Sequence, residues 1–167
     1  YDGSAFTCDC VPPGTAITDS NFYAAIGDWF AKGDASQYGD ITKWCTGAVT
    51  DMLDAFAKIR TFNEDISGWD TSNVKDMRFM FADAASFNAD IGGWDTSNVA
   101  DMTGIFNGAT AFNRNISGWD TSNVTDMSFM FWGATAFNQD IGSWNTSRVA
   151  DMSSMFAHAT SFEADMS

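Results

Sequence analysis

Basic residues are scarce in this chain. Its 167 residues contain 8 Lys and Arg against 22 Asp and Glu, so the formal net charge is −14 at pH 7. Nucleic acids and anionic membrane surfaces are bound through basic patches, which release counterions or meet lipid headgroups. The sequence therefore predicts no nucleic-acid binding, and a cationic partner or divalent metal ions fit its charge better.

Catalytic motifs are also missing. The sequence has a single histidine, His158, no glycine-rich phosphate loop and no HExxH motif. Its many carboxylates leave a glycosidase-type pair open as an alternative. A single active site, however, needs a break in regularity, and the acidic residues recur almost uniformly. We therefore predict that the protein is not an enzyme.

Long apolar runs are absent too. No run approaches the roughly 18 residues that span a bilayer, which predicts a chain that does not cross a membrane. Hydrophobic residues nevertheless make up 45% of the chain and aromatic residues 15%, enough for a continuous core. Because the sequence begins at Tyr1 and not at Met, we expect a processed product or a fragment.

Cysteines are few and lie near the amino terminus, at Cys8, Cys10 and Cys45. Their odd number allows one internal bridge, which we predict to join Cys45 to Cys8 or Cys10 in an oxidising compartment. Free thiols are the next alternative. Zinc is the least favoured, because the CDC spacing is too tight for a Cys-x2-Cys knuckle and His158 is distant in sequence.

What the chain does have is a repeat. The segment DISGWDTSNVKDMRFMFADAASF around Ile66 returns at a constant spacing around Ile91, Ile116 and Ile141, and a degenerate copy surrounds Ile41. A fixed period of this size is typical of a solenoid, whose units cannot bury their apolar faces alone and must stack. We expect an α/β solenoid of five units, with a sixth starting at 163–167: 38–62, 63–87, 88–112, 113–137 and 138–162.

Two segments precede these units. Residues 1–19 are predicted to be an irregular arm, and residues 20–37 a capping helix and linker. Asp19 or Ser20 is expected to cap a helix from about Asn21 to Lys32.

Within a unit, Ile66 and Trp69 predict a short strand. A following set recurs at the three-and-four spacing of a helical face: Val74, Met77, Met80, Phe81 and Ala84. Each unit is therefore predicted to be strand, turn, helix and return loop.

The string W-D-T-S-N-V-x-D-M-x-x-M-F, followed by A-x-x-F-N-x-D-I, resembles the repeat of the BspA-like leucine-rich-repeat family. This repeat of unknown function occurs in mycoplasma-type surface lipoproteins and in many microbial eukaryotes. The resemblance covers about residues 20–167, with departures at Cys45, Gly47 and Ala48 in the first unit and at Asn145 and Arg148 in the last. It implies a right-handed leucine-rich-repeat-like fold with adhesion or protein-binding roles, and it brings no catalytic residues.

Stacked units turn each repeat position into a column. Two columns are predicted to be core, although aligned tryptophans could also form a sugar-binding platform: Trp44, Trp69, Trp94, Trp119 and Trp144, and Met52, Met77, Met102, Met127 and Met152. We expect the tryptophan column to be buried and Trp132, which lies outside it, to be mostly exposed.

The acidic columns have two interpretations. Asp76 and its equivalents fit helix caps or turns. Calcium is the alternative, and Asp70, Asp95 and Asp120 are its weak candidates, but the nonapeptide calcium pattern is absent. We predict no cofactor.

One irregular column points to function. It consists of Asp54, Phe79, Gly104, Phe129 and Ser154. Trp132 likewise replaces a residue that is mostly alanine in the other units. Phe129 and Trp132 are neighbours at i and i+3, and Phe79 lies two units away across Gly104, where we expect a shallow apolar gap. Exposed aromatic residues grouped in this way predict a docking patch for a protein partner.

Three functions compete. The favoured one is a non-catalytic protein-binding or adhesion module, extracytoplasmic and either secreted or displayed on the cell surface. The second is a structural accessory subunit of a larger, possibly membrane-associated complex, for example in an organelle lumen. The third is carbohydrate or ice binding, which lacks the regular threonine ladder it needs. Because unit 138–162 would end in an open edge, we also expect further repeats or a partner to cover the C-terminal end.

Overall fold

A computed structural model describes residues 16–163, in which one α-helix precedes two short 3₁₀ helices. Helix α1 spans Phe22–Lys32, and the 3₁₀ helices span Gly33–Ala35 and Ile41–Lys43. Over these residues, extended structure is reduced to single-residue parallel bridges: Thr18 with Ala48, and a series through Asp51, Asp76, Asp101, Asp126 and Asp151. Most of the predicted arm and of the sixth unit lies outside the described residues.

Helix α1 lies where the apolar stripe predicts a helix, but its predicted cap is wrong. Asn21 occupies the cap position. Asp19 instead accepts two hydrogen bonds from Thr50, from the backbone N–H at 2.6 Å and from the hydroxyl at 2.7 Å. These bonds, the backbone N–H of Thr50 first, hold the pKa of Asp19 below its usual 3.8. Asp19 thus ties the chain before α1 to the first unit.

Helix α1 covers the leading edge of unit 38–62, by which we mean the side of a unit that faces the preceding one. The ring of Phe30 packs edge-on against Phe56 and Phe62, with ring centroids 6.5 and 6.1 Å apart. The hydroxyl of Tyr23 donates a hydrogen bond to the carbonyl oxygen of Leu53 at 2.7 Å. Both the rings and a backbone acceptor of this edge therefore have partners.

Neighbouring units are joined by backbone hydrogen bonds at a constant sequence offset. Alternate N–H groups donate to a carbonyl of the next unit, as Met52 does to Asp76 at 2.9 Å and Phe56 does to Met80 at 2.8 Å. Such bonds recur at each junction down to unit 138–162. Consecutive units therefore stack in register.

Neither the strand nor the α-helix predicted in each unit occurs within residues 38–163. At the predicted strand, the N–H of Trp69 donates to the carbonyl of Ile66, three residues back, in a turn. The residues with helical spacing form consecutive turns instead, as over 78–83. There the N–H of Met80 donates to Met77, three residues back, while the N–H of Phe79 donates to the next unit. An α-helix needs each N–H for the carbonyl four residues back. The bonds between units therefore exclude the predicted helix, and Asp76 caps a turn.

Phenylalanine pairs occupy the centre of the core. Phe81 and Phe87 stack within one unit with ring centroids 3.7 Å apart. Each also stacks on its equivalent in the next unit, Phe81 on Phe106 at 5.9 Å and Phe87 on Phe112 at 5.8 Å. Fully buried aromatic rings contribute strongly to core stability, so these two columns anchor every junction.

The tryptophan column is buried, as predicted. Its five indoles are between 3% and 8% exposed. The indole N–H of Trp94 donates to the carbonyl of Ile66 in the preceding unit at 3.1 Å, and three other members repeat this bond. These rings are therefore unavailable as a platform for sugars.

The methionine column follows the prediction except at its end. Four members are fully buried, but Met152 is 42% exposed. No described unit follows the one that contains Met152, so no described residue covers its side chain as the next unit covers the other four.

Candidate binding surface

Three residues make up the predicted docking patch, and we call them the aromatic face: Phe79, Phe129 and Trp132. All three lie in the consecutive turns, and Phe79 and Phe129 hold the same position two units apart. Phe129 is 40% exposed and Trp132 38% exposed, whereas Phe79 is half-buried. The structure thus exposes two of these side chains clearly and the third in part.

Phe79 and Phe129 have left-handed backbones, with φ of 53° and 56°. The position is left-handed in every unit, whether it holds Asp54, Gly104 or Ser154. A left-handed backbone costs a residue with a Cβ roughly 1–2 kcal/mol, which glycine avoids. The fold therefore favours glycine here, and each phenylalanine is held against its own conformational preference.

A second left-handed position follows four residues later. Its members are Lys58, Asp83, Gly108, Gly133 and His158. The left-handed backbone was not predicted from the sequence. The available signal was the presence of Gly104, Gly108 and Gly133 in columns where other units carry larger side chains.

The expected gap at Gly104 is filled. A Cβ added to Gly104 would collide with the ring of Phe79, so that ring lies directly over the glycine. Gly104 is buried and has a φ of 58°. Because Gly104 has no side chain, it adopts the left-handed backbone without strain and leaves room for the ring of Phe79.

Trp132 and Phe129 share one turn, because the N–H of Trp132 donates to the carbonyl of Phe129 at 3.0 Å. The Trp132 ring lies edge-on to the imidazole of His158 with centroids 5.2 Å apart. No ring contact links Phe79 to either residue within residues 16–163. Within the aromatic face, Phe129 and Trp132 therefore form a pair that His158 extends, and Phe79 lies two units away.

The weak calcium candidates serve as turn caps. Asp70, Asp95 and Asp120 each accept a hydrogen bond from the backbone N–H two residues ahead, at 2.9 to 3.0 Å. The hydroxyl of Ser122, and then its N–H, lower the pKa of Asp120. Over residues 16–163, no group of three or more His, Cys, Asp or Glu side chains could hold a metal ion.

Arg78 bridges two members of the other acidic column. Its guanidinium donates to both carboxylate oxygens of Asp76, to Oδ1 at 3.0 Å and to Oδ2 at 2.6 Å, and lies 3.8 Å from Asp101. Burial raises the pKa of Asp76, but the bonds from Arg78 outweigh it, and the pKa is lowered overall. One cation thus relieves the repulsion between two stacked carboxylates.

Cys45 is disulfide-bonded. Its predicted partners, Cys8 and Cys10, lie outside the described residues, so the pairing stays a prediction.

None of the helices in the described part of the chain is long and apolar enough to cross a membrane.

Comparison with known proteins gives one family. The family described as Mycoplasma protein of unknown function, DUF285, matches the chain twice, over residues 24–121 and 89–167. No curated protein matches the chain, and no solved structure does. The BspA-like leucine-rich-repeat family is related to the matched family but distinct from it, so the predicted resemblance holds only at this coarser level.

Proposed function

The chain belongs to DUF285, a Mycoplasma family of unknown function, and we propose that it is a non-catalytic protein-binding or adhesion module. The aromatic face is its contact surface. Bonds between stacked units support a solenoid architecture, which suits such a role because solenoids present extended surfaces. We also propose that the units form a right-handed stack like that of leucine-rich-repeat proteins.

The observation that carries the proposal is Phe129. Its ring is 40% exposed, and its backbone is left-handed at a position where Gly104 serves the fold without strain. Because the backbone is left-handed at this position in every unit, the fold accounts for the conformation but not for a large exposed ring there. Neighbouring Trp132 belongs to the residue type most enriched among binding hot spots. A partner that buries both rings explains why they are there.

The net charge of the chain indicates which class of protein it binds. With a net charge of −14, the molecule repels acidic proteins and attracts basic ones. The proposed partner is therefore a protein with an apolar pocket for the two rings and a basic rim. We place the interaction in an extracytoplasmic compartment, which the disulfide at Cys45 supports because cytosolic thiols are kept reduced.

A photo-crosslinking experiment tests the contact surface. Benzoylphenylalanine is placed at Phe129 and, as a matched control, at Asp54, which is exposed and holds the same left-handed position in the first unit. Both proteins are irradiated in extract of the native cells. We expect a crosslinked species from position 129 alone, which excess unlabelled wild-type protein suppresses.

Competition with F129S/W132A protein completes the test. This variant should fold normally, because both side chains are exposed, yet fail to suppress the crosslink. Equal products from positions 54 and 129, or equal suppression by the variant, would show that the aromatic face is not the contact surface.

A structural accessory subunit of a larger complex is the second candidate, because the exposed rings of Phe129 and Trp132 also suit a contact within an assembly. Size-exclusion chromatography of the native material separates the two proposals. A free monomer supports the adhesin, and obligate co-purification with a large complex supports the subunit.

A further inference from the structure

Two columns of turn caps hold aspartate in most units and asparagine in one unit each. The first column precedes a buried isoleucine and the second follows a buried tryptophan: Asp65, Asp90, Asn115 and Asp140, and Asp70, Asp95, Asp120 and Asn145. Every member accepts a hydrogen bond from the backbone N–H two residues ahead, at 2.9 to 3.1 Å. Because both residue types make this bond, the fold does not require asparagine at Asn115 or Asn145.

Each of these two asparagines begins an Asn-x-Ser tripeptide. The tripeptides are Asn-Ile-Ser at 115–117 and Asn-Thr-Ser at 145–147. Asn-x-Ser or Asn-x-Thr, with any residue except proline in the middle, is the acceptor sequence for N-linked glycans on exported proteins. An aspartate keeps the turn but has no side-chain nitrogen to carry a glycan. Both departures from aspartate therefore create an acceptor sequence.

A third tripeptide of this type, Asn-Val-Thr at 123–125, differs in its hydrogen bonds. The side-chain nitrogen of Asn123 donates to a backbone carbonyl of the preceding unit at 2.8 Å, and its side-chain oxygen accepts from Arg148 of the next unit at 2.8 Å. Asn73 and Asn98 make the same bond to the preceding unit, and neither begins such a tripeptide. Its place in the junction therefore accounts for Asn123.

The side-chain nitrogens of Asn115 and Asn145 are not used in this way. Both residues are exposed. Their turns use only Oδ1, and Nδ2 of neither residue has an acceptor among residues 16–163. These two nitrogens are therefore available for a covalent substituent, whereas that of Asn123 is held between units.

We propose that Asn115 and Asn145 are N-glycosylation sites. The co-substrate is an oligosaccharide linked to a polyprenyl diphosphate, and an oligosaccharyltransferase of the cell catalyses the transfer. Nδ2 forms a bond to the anomeric carbon of the first sugar while the bond from that carbon to the diphosphate oxygen breaks. The polyprenyl diphosphate leaves with the electron pair, and one proton of Nδ2 passes to a base of the transferase.

The inference rests on the proposed extracytoplasmic location and not on the aromatic face. Glycan transfer of this kind acts on exported chains, and the disulfide at Cys45 supports such a location.

Peptide mass spectrometry of the native protein, purified from its own cells, tests both sites. A digest is treated with peptide-N-glycosidase in heavy-oxygen water, which converts each glycosylated asparagine to aspartate and adds one heavy oxygen. A parallel digest without the enzyme corrects for spontaneous deamidation. We expect the label at Asn115 and Asn145 and none at Asn123.

Recovery of Asn115 or Asn145 as unmodified asparagine overturns the assignment of that residue. The change from aspartate would then serve only to reduce repulsion between stacked carboxylates. Label at Asn123 overturns the argument from the hydrogen bonds of the side-chain nitrogen.

Three variants that copy other units test the sites without disturbing the turns. N115D and N145D restore the aspartate of neighbouring units, and T125A introduces the residue found at Ala100 and Ala150. When the chain is secreted from a eukaryotic host, N115D and N145D should each remove one glycan and increase mobility on a denaturing gel. T125A should leave the mobility unchanged. Wild-type mobility of N115D or N145D contradicts the proposal, and so does a shift in T125A.

The redox state of Cys45, read from a digest of the native protein without reductant, separates two kinds of failure. A bridged Cys45 in unglycosylated protein overturns the glycosylation sites and leaves the extracytoplasmic location in place. A reduced Cys45 in unglycosylated protein overturns both.

Discussion

Replacing Gly104 with alanine adds one Cβ where two constraints meet. The φ of 58° costs alanine roughly 1–2 kcal/mol, and the lower entropy of its unfolded state returns about 0.4–1 kcal/mol. The new Cβ also collides with the Phe79 ring, and displacing a packed ring adds about 1–3 kcal/mol. We expect G104A to lower the free energy of unfolding by about 3 kcal/mol in total.

Two other glycines separate these constraints. Gly133 has a φ of 68°, but the nearest atom to an added Cβ is 3.8 Å away, so G133A should cost only about 1 kcal/mol. Gly93 has ordinary φ and open space, so G93A should be neutral or stabilising by up to about 1 kcal/mol. The three variants differ in strain and contact while the chemical change is the same.

Urea unfolding measures all three variants, together with F79A and F79A/G104A. In the background of F79A, the cost of G104A should fall to that of G133A, because the displaced ring is gone. If G104A proves no more destabilising than G133A in the wild-type background, the ring does not lie over Gly104. If G133A is as harmless as G93A, the argument from the left-handed backbone fails.

Three further predictions concern buried donors, acid and redox state. W94F should lower the free energy of unfolding by about 1–3 kcal/mol, because a buried carbonyl loses its indole donor. W44F is the control and should cost less, because its indole N–H is buried with no acceptor among residues 16–163. Hydrogen bonds from Ser122 hold the pKa of Asp120 below 3.8, so their stabilisation is present above pH 3.8 and is lost as the pH falls through the lowered pKa. The fall in Tm between about pH 5 and pH 2 should therefore be shallower in D120N than in the wild type. Identical profiles of Tm against pH would refute this. Reduction of the Cys45 disulfide should cost about 2–4 kcal/mol, measured by urea unfolding with and without dithiothreitol, and C45S should abolish the difference.

The burial of the core columns could be predicted because any stack of this period must place the same residue types inside. The Trp94 and Met102 columns lie in the core for that reason, whatever backbone joins them. Their regular spacing was sufficient, and no knowledge of secondary structure was needed.

The helix could not be rejected from spacing alone. Consecutive turns with a left-handed residue at every fourth position bring the same residues to the core as a helix does. Met77, Met80, Phe81 and Ala84 are buried in either case. What separates the two structures is where the N–H groups donate, and the N–H of Phe79 donates to the next unit because an acceptor carbonyl lies there. A partner so distant in sequence leaves no local periodicity to detect.

Residues that break the repeat pattern located the aromatic face in the sequence, but they did not reveal its strained, left-handed backbone. A phenylalanine in a variable column predicts exposure and nothing about φ. Only the structure shows that Phe129 occupies a backbone conformation suited to glycine.

Because successive junctions use the same hydrogen bonds and ring contacts, the number of units in the stack can change without changing how the remaining units pack. Removing one whole unit, for instance 88–112, would join two surfaces that already match, with phenylalanine against phenylalanine and carbonyl against N–H. The exception is the Phe79 ring, which occupies the space above Gly104 and would meet Phe129 after that deletion. Duplication and loss of whole repeats are therefore structurally neutral at most junctions, and this pair fixes the order of two units.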